Sequence, residues 1–338
     1  MARGNQIMFG CKGCCGFAKR TRALALALVT AGVLSTAGCT PGVKDAYSLT
    51  DRIPALTDAD SSSHYAKGFS SDLCVISDEA SFDPEFATSE AAVLFDISDK
   101  EVLYSKNAFE QLYPASITKV MTALVAIKHG DLKGRVLVTE DAVVTESGAT
   151  LCGIQPGDTL TLEQLLYGLM LPSGNDAGAA IAVHMAGSID GFADMMNEEA
   201  AALGATGTHF TNPHGLNDPN HYTTAYDLYL IFNEALNYPI FRQIIGTKAY
   251  TANYHDRNSQ PVSKTWKGGN WFMTGERKTP EGLTVFGGKT GTTQAAGYCL
   301  IMGTRGPDDK EYISVVLKAD SRPHLYDNMG NIISEIVK

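Results

Sequence analysis

The stretch "YPASITKVMTALVAIKHG", residues 113–130, decides how this chain is read. Its apolar residues Val120, Met121, Leu124, Val125 and Ile127 recur at the three-to-four-residue interval of an amphipathic helix, with Pro114 ahead and Gly130 behind. The pattern predicts a helix opened by Ser116. Residues three apart on a helix are surface neighbours, so Lys119 projects on the same side as Ser116 and brings an amine within reach of its hydroxyl. A nucleophile stands beside a possible base. An isolated S-x-x-K is more often a helix cap followed by a solvated lysine, so the rest of the chain has to decide.

Two further stretches bear on it. "LPSGNDAG", residues 171–178, is a turn between helical runs that presents Ser173 and Asn175. Taken alone it is a generic turn whose polar side chains cap the helix from Ala177. "FGGKTGTTQAAGY", residues 286–298, sets Lys289, Thr290, Gly291 and Thr292 after an apolar strand segment. Alone it would be a Gly-rich hairpin turn with a solvated lysine. Order and spacing override all three bland readings: S-x-x-K, then S-x-N 57 residues on, then K-T-G 116 residues beyond that.

This trio resembles the active-site set of penicillin-binding proteins and serine β-lactamases. Within that group the chain resembles the low-molecular-weight D-alanyl-D-alanine carboxypeptidases from about Ala91 to its end, through "YPASITK", "LTLEQLLYGLMLPSGNDA", "FTNPHGLNDPNHYTTAYDL" and "GGKTGTT". The resemblance implies an α+β fold of the β-lactamase and penicillin-binding transpeptidase type. An antiparallel sheet would be covered by helices, with a mostly helical region across a cleft.

It also implies roles. Ser116 would be acylated, with Lys119 as general base, its pKa lowered by burial and by the nearby charge of Lys289. Ser173 would relay a proton to the leaving D-alanine amine, and Asn175 would orient Lys119 and the substrate amide. The backbone N–H groups of Ser116 and Thr292 would hold the oxyanion. Lys289, Thr290, Gly291 and Thr292 would bind the substrate, with the two threonines and the lysine meeting the terminal carboxylate. Arg322, in "KADSRPH", falls where related enzymes place an arginine near that carboxylate, and is equally readable as a surface charge. The implied partners are stem peptides ending in D-Ala-D-Ala, with β-lactam antibiotics as covalent inhibitors; no metal and no cofactor is expected.

Composition agrees with a globular enzyme outside the cytoplasm. The 338 residues are 44% hydrophobic and 19% charged. Residues 1–38 hold Arg3, Lys12, Lys19, Arg20 and Arg22 with no acid, followed by the mostly apolar run Ala23 to Leu34, a secretory signal too short to span a bilayer comfortably. It ends "STAGC", which resembles a bacterial lipobox and makes Cys39 the candidate lipid anchor to the membrane, although Thr36 stands where leucine is usual. Removing this segment leaves 22 basic against 37 acidic side chains, which disfavours a nucleic-acid partner. Cys74, Cys152 and Cys299 then remain with Cys39, too few for a disulfide framework, though one bridge is open.

Residues 39–72 form a polar tether, and residues 73–338 are expected to be one catalytic domain. Apolar runs Ala91 to Phe95 and Val102 to Tyr104 flank the polar turn "DISDKE", a hairpin signal. Helical patterns follow at Thr161 to Met170, Ala177 to Met185, Gly191 to Leu203 and Thr224 to Leu236. Strand-like segments return at Leu283 to Phe286, Ala296 to Gly303 and Tyr312 to Leu317, before a helix from Leu325 to Ile336. A two-stranded hairpin is marginal alone, so the early hairpin should join the late strands in one sheet, beside a helical middle. Fewer than fifty residues follow Gly291, little room for the C-terminal β-domain of many relatives, so anchoring is expected at the N-terminal lipid.

Three rival readings remain. A class A β-lactamase would need a glutamate where this chain has "FTNPHGLN". A catalytically idle lipoprotein would bind cell-wall peptides without turnover. A zinc carboxypeptidase is suggested by His209, His214 and His221, but no H-E-x-x-H occurs and hydrogen-bonded structural roles suit a "NPHGLNDPNH" loop better.

Overall fold

The run "AAVLFD" becomes strand β1 (Ala91–Asp96), buried along its whole length, and folds back through the turn 97–100 onto β2 (Glu101–Lys106). The computed structural model describes residues 73–76 and 87–338, which fall within one compact unit, Ala66–Lys338. The expected signal segment 1–38, the expected tether 39–72 and Cys39 lie outside the described residues.

After a 3-10 turn at Ala115–Thr118 come α1 (Lys119–His129), β3 (Arg135–Leu137), β4 (Thr159–Thr161), α2 (Leu162–Met170), α3 (Asn175–Ala186), α4 (Ile189–Ala202), α5 (Ala225–Ala235) and α6 (Pro239–Gly246). The chain continues with β5 (Ala249–His255), β6 (Pro261–Lys267), α7 (Trp271–Thr274), β7 (Thr284–Thr293), β8 (Gly297–Arg305), β9 (Glu311–Ala319) and α8 (Arg322–Ser334). The main sheet is antiparallel with strand order β2-β1-β9-β8-β7, so the early hairpin does join the late strands, Val93 lying opposite Val315. Alternation sorts its side chains. Val93, Phe95, Ile301, Ile313 and Val315 enter a core shared with α1 and α5, whereas Leu94, Leu300, Met302 and Val316 meet Leu325, Met329, Ile332 and Ile333 of α8. With both faces covered, β1 can be apolar at every position.

Several expectations are corrected. The middle of the chain is not only helical: β3, β4, β5 and β6 form a second, four-stranded sheet in that order. In "AYTANYH" Tyr250, Ala252 and Tyr254 point inward and the residues between them are exposed, a period-two signal masked by how few of its positions are aliphatic. An aromatic row holds it, with Tyr250 stacked on Tyr167 of α2 at 3.7 Å and on Trp266 of β6 at 6.4 Å between ring centroids. The helix does not begin at Ser116: Ile117 N–H bonds Pro114 O at 3.2 Å, closing a tighter turn, and α1 starts at Lys119.

The strand expected at Leu283 to Phe286 does not stop there, because β7 runs on through the K-T-G residues to Thr293. The final helix starts three residues early, since Ser321 caps it by accepting the His324 N–H at 3.3 Å and Pro323 sits in its first turn. Cys74, Cys152 and Cys299 are buried and free. Among the described residues no helix is long and apolar enough to cross a membrane.

Candidate active site

The 3-10 turn carries Ser116 half-buried at the sheet's edge and delivers Lys119, with 0% of its surface exposed, as the first residue of α1. Lys119 Nζ stands 2.8 Å from Ser116 Oγ, 2.6 Å from Asn175 Oδ1 and 2.8 Å from the His214 carbonyl oxygen. Three chain segments converge on one amine. A neutral amine has two hydrogens and one lone pair, so it can donate to Asn175 and His214 and still receive the serine proton. Burial holds its pKa well below the usual lysine range, the neighbouring charge of Lys289 adds to this, and Asp176 opposes it.

Lys289 is 3% exposed on β7, and burial pushes its pKa down to about 7. It donates to Ser173 Oγ at 3.0 Å and to the Thr290 carbonyl at 2.7 Å. Ser173 has φ +64° in the turn before α3, a strained position for a non-glycine residue of the kind that clusters at reactive sites. Accepting from Lys289 leaves its own hydrogen for donation.

Strand β7 lies directly against the Ser116 turn. A Cβ at Gly291 would sit 3.0 Å from Ser116 N and 2.9 Å from Pro114 O, so only glycine lets the strand come this close. Thr292 is exposed and its hydroxyl donates to Gly291 O at 2.8 Å. Thr293 Oγ1 donates to Asn217 Oδ1 at 2.8 Å, tying the end of β7 to the loop 211–221.

The structure thus brings together Ser116, Lys119, Ser173, Asn175, Lys289, Thr290, Gly291 and Thr292. Arg322 is apart from them in bonding: it is exposed in the first turn of α8, its guanidinium 5.8 Å from the centre of the Trp271 ring. Among the described residues it makes no hydrogen bond to the β7 motif. No group of three His, Cys, Asp or Glu side chains there is disposed to hold a metal ion.

Two contributors escape the sequence reading. His214 supports Lys119 with its main chain, which no side-chain motif can announce. Asp176, which the sequence offers only as a cap, accepts the N–H groups of Cys152 at 2.8 Å, Gly153 at 2.7 Å and Ile154 at 3.2 Å. Asn175 N–H bonds Thr150 O at 2.7 Å, so the loop 150–154 is pinned onto the second motif. Asp176→Ala should orphan these donors and cost on the order of 3 kcal/mol in urea unfolding. An unchanged unfolding midpoint would refute this role.

The loop 211–221 also predicts acid lability. Burial lowers His214 to about 3, helped by Lys119 and His221, and lowers His221 to about 4, with Asp218 opposing and His209 adding. Below pH 6.5 the unfolded chain therefore binds protons that the folded chain does not, and stability falls from pH 6.5 downward, the His221 share levelling off near pH 4 and the His214 share near pH 3. Each histidine should cost on the order of 3 kcal/mol between pH 6.5 and 4. Urea unfolding at pH 7 and 4.5 measures it: His221→Gln should show a shallower pH dependence, and an equal slope would remove His221 from the account.

Comparison with known proteins places these residues in context. The family model for D-alanyl-D-alanine carboxypeptidases, peptidase S11, matches residues 78–321. D-alanyl-D-alanine carboxypeptidase DacF of Bacillus subtilis is 35% identical over 216 residues, 63% of this chain and 53% of that protein. DacB2 of Mycobacterium tuberculosis is 36% identical over 206 residues, 60% of this chain and 66% of that protein. The chain thus spans between half and two thirds of these relatives. The crystal structure of the Streptomyces K15 DD-transpeptidase superposes with a TM-score of 0.68 at 30% identity, covering 74% of this chain and 97% of that one.

Proposed function

Because the chain belongs to the D-alanyl-D-alanine carboxypeptidase family of serine peptidases, we propose that it removes the terminal D-alanine from peptidoglycan stem peptides ending in D-Ala-D-Ala. The observation that carries this reading is the buried Lys119 amine, 2.8 Å from Ser116 Oγ with both of its donor positions already occupied by Asn175 and His214.

Lys119 takes the serine proton as Ser116 Oγ bonds to the carbonyl carbon between the two D-alanines. In this reading the oxyanion is received by the N–H groups of Ser116 and Thr292, and Gly291 is what lets β7 come close to the turn that carries Ser116. Collapse breaks the C–N bond, and the leaving amine takes a proton from Ser173, which is made good by the proton Lys119 took from Ser116, so that Lys119 is neutral again. The departing carboxylate is met by Lys289, Thr290 and Thr292; an anion beside Lys289 restores the charged form that burial disfavours. Water then attacks the acyl-enzyme, Lys119 takes its proton, and Ser116 is released.

Among the described residues no carboxylate hydrogen-bonds Ser116 or Lys119, which supports slow release of a penicilloyl group and penicillin as an inhibitor. Residues 73–338 serve as the catalytic domain in this reading. Export to the outer face of the cytoplasmic membrane, with Cys39 lipidated, rests on residues 1–39 of the sequence. The test is to follow D-alanine release from a peptide ending in D-Ala-D-Ala and covalent labelling by a fluorescent penicillin. Release together with a persistent label is expected. Rapid loss of the label would make the protein a β-lactamase, transfer to an added amine without hydrolysis a transpeptidase, and neither label nor release from folded protein would overturn the assignment.

A further inference from the structure

His221 is 1% exposed and has no part in the reaction as described. Its Nδ1 accepts the Thr211 backbone N–H at 3.0 Å, so the neutral ring carries its hydrogen on Nε2. Nε2 stands 2.8 Å from Thr118 Oγ1, a fully buried hydroxyl. That hydroxyl donates to the Ala115 carbonyl at 2.8 Å. The chain of donors runs one way, from imidazole to hydroxyl to carbonyl.

Its end point is the residue before the nucleophile. Ala115 has φ +49°, which costs a residue bearing a Cβ on the order of 1 kcal/mol and persists only where surrounding contacts impose it. The same loop supplies a second contact, because Gly215 is packed so closely that a Cβ there would lie 1.8 Å from Ala115 O. The loop 211–221 therefore grips one carbonyl from two directions while its His214 oxygen holds Lys119.

We propose that His221 is a positioning residue for the nucleophile: through Thr118 it locks the Ala115 carbonyl in the left-handed conformation that aims Ser116 Oγ at Lys119. This rests on the acyl-transfer reading of Ser116. Thr118→Val removes the hydroxyl at nearly constant shape and breaks the relay. It should lower the first-order rate of acylation by a fluorescent penicillin about 10- to 100-fold, the scale of a small misplacement of a reacting group. The affinity of the preceding non-covalent complex should stay near that of the wild type, the melting temperature should fall by only a few degrees because the buried His221 Nε2–H loses its acceptor, and Thr118→Ser should restore both rate and melting temperature.

An acylation rate in Thr118→Val equal to that of the wild type, or a loss that serine does not restore, would overturn the proposal. Nitrogen-15 spectra of labelled histidine in the unmodified protein test the relay independently of any turnover. They should show His221 neutral with its hydrogen on Nε2. The other tautomer would overturn the relay even in a protein that penicillin labels, and failure of the wild type to label would count against the proposed function alone.

Discussion

Ser116→Ala should abolish covalent labelling by penicillin, and Lys119→Ala should slow labelling by at least about 10³-fold, both in folded protein. The first follows from chemistry, since among the described residues no other hydroxyl is hydrogen-bonded to Lys119 Nζ. The second follows from burial. A serine hydroxyl is a weak nucleophile at neutral pH, and an exposed lysine would be protonated there and useless as a base. Desolvation of the fully buried Lys119, reinforced by Lys289, favours the neutral amine at ordinary pH. The acylation rate of the wild type should therefore fall as pH drops through the depressed Lys119 value, and should show no limb near 10.5, the ordinary lysine value. Lys119→Met, which keeps the packing, controls for the volume lost in the alanine variant. Labelling of Lys119→Ala at the wild-type rate would move the base elsewhere.

Gly215→Ala is the second large effect, and it is steric. Its φ of +85° already disfavours a side chain, and the added Cβ would meet Ala115 O at 1.8 Å, Ala115 C at 2.4 Å and Thr118 Oγ1 at 2.8 Å. Two of these are backbone atoms that cannot rotate away. The cost should be at least about 3 kcal/mol, made up of the conformational penalty and a forced backbone shift. Because the displaced atoms belong to the turn carrying Ser116, acylation should also fall by about 10²-fold or more at temperatures where the variant is folded. Gly148 is the control: its φ is +86° with nothing within 4 Å of an added Cβ, so alanine there should cost only about 1 kcal/mol. Urea unfolding and penicillin labelling of both variants decide it. Gly215→Ala behaving like Gly148→Ala would mean that the loop does not press on the turn.

The contrast between these two glycines shows what is legible without a structure. Both are single residues in polar loops, and nothing around them in the sequence separates the one that matters. Strands β1, β8 and β9, as short apolar runs, and helices α2 and α5, by their helical periodicity, could be read directly because these patterns are local. Strands β5 and β6 could not, since tyrosine, lysine and tryptophan fill most of their inward positions and leave only Ala252 and Val262 as aliphatic ones. The 3-10 turn at Ser116 was hidden for another reason: the apolar spacing of α1 describes the helix beyond it, and the tight turn is imposed by Pro114, Ala115 and the loop pressing on them.

By itself, the sequence determined the α+β class, the identity of the three motifs, and the pairing of a nucleophile with an amine three residues away. The nucleophile and its amine depend on a separation of one helical turn, the three motifs on residue type with their order and spacing along the chain, and the α+β class on local patterns together with the family resemblance. Only the tertiary structure decided that the amine is dry and what holds it, because its partners Asn175 and His214 lie 56 and 95 residues away. The same holds for Lys289 on Ser173, 116 residues apart, and for His221 on Thr118, 103 apart. Desolvation and hydrogen-bond direction are properties of an enclosed space. They come into being when the loop 211–221, strand β7 and the turn before α3 close around Lys119.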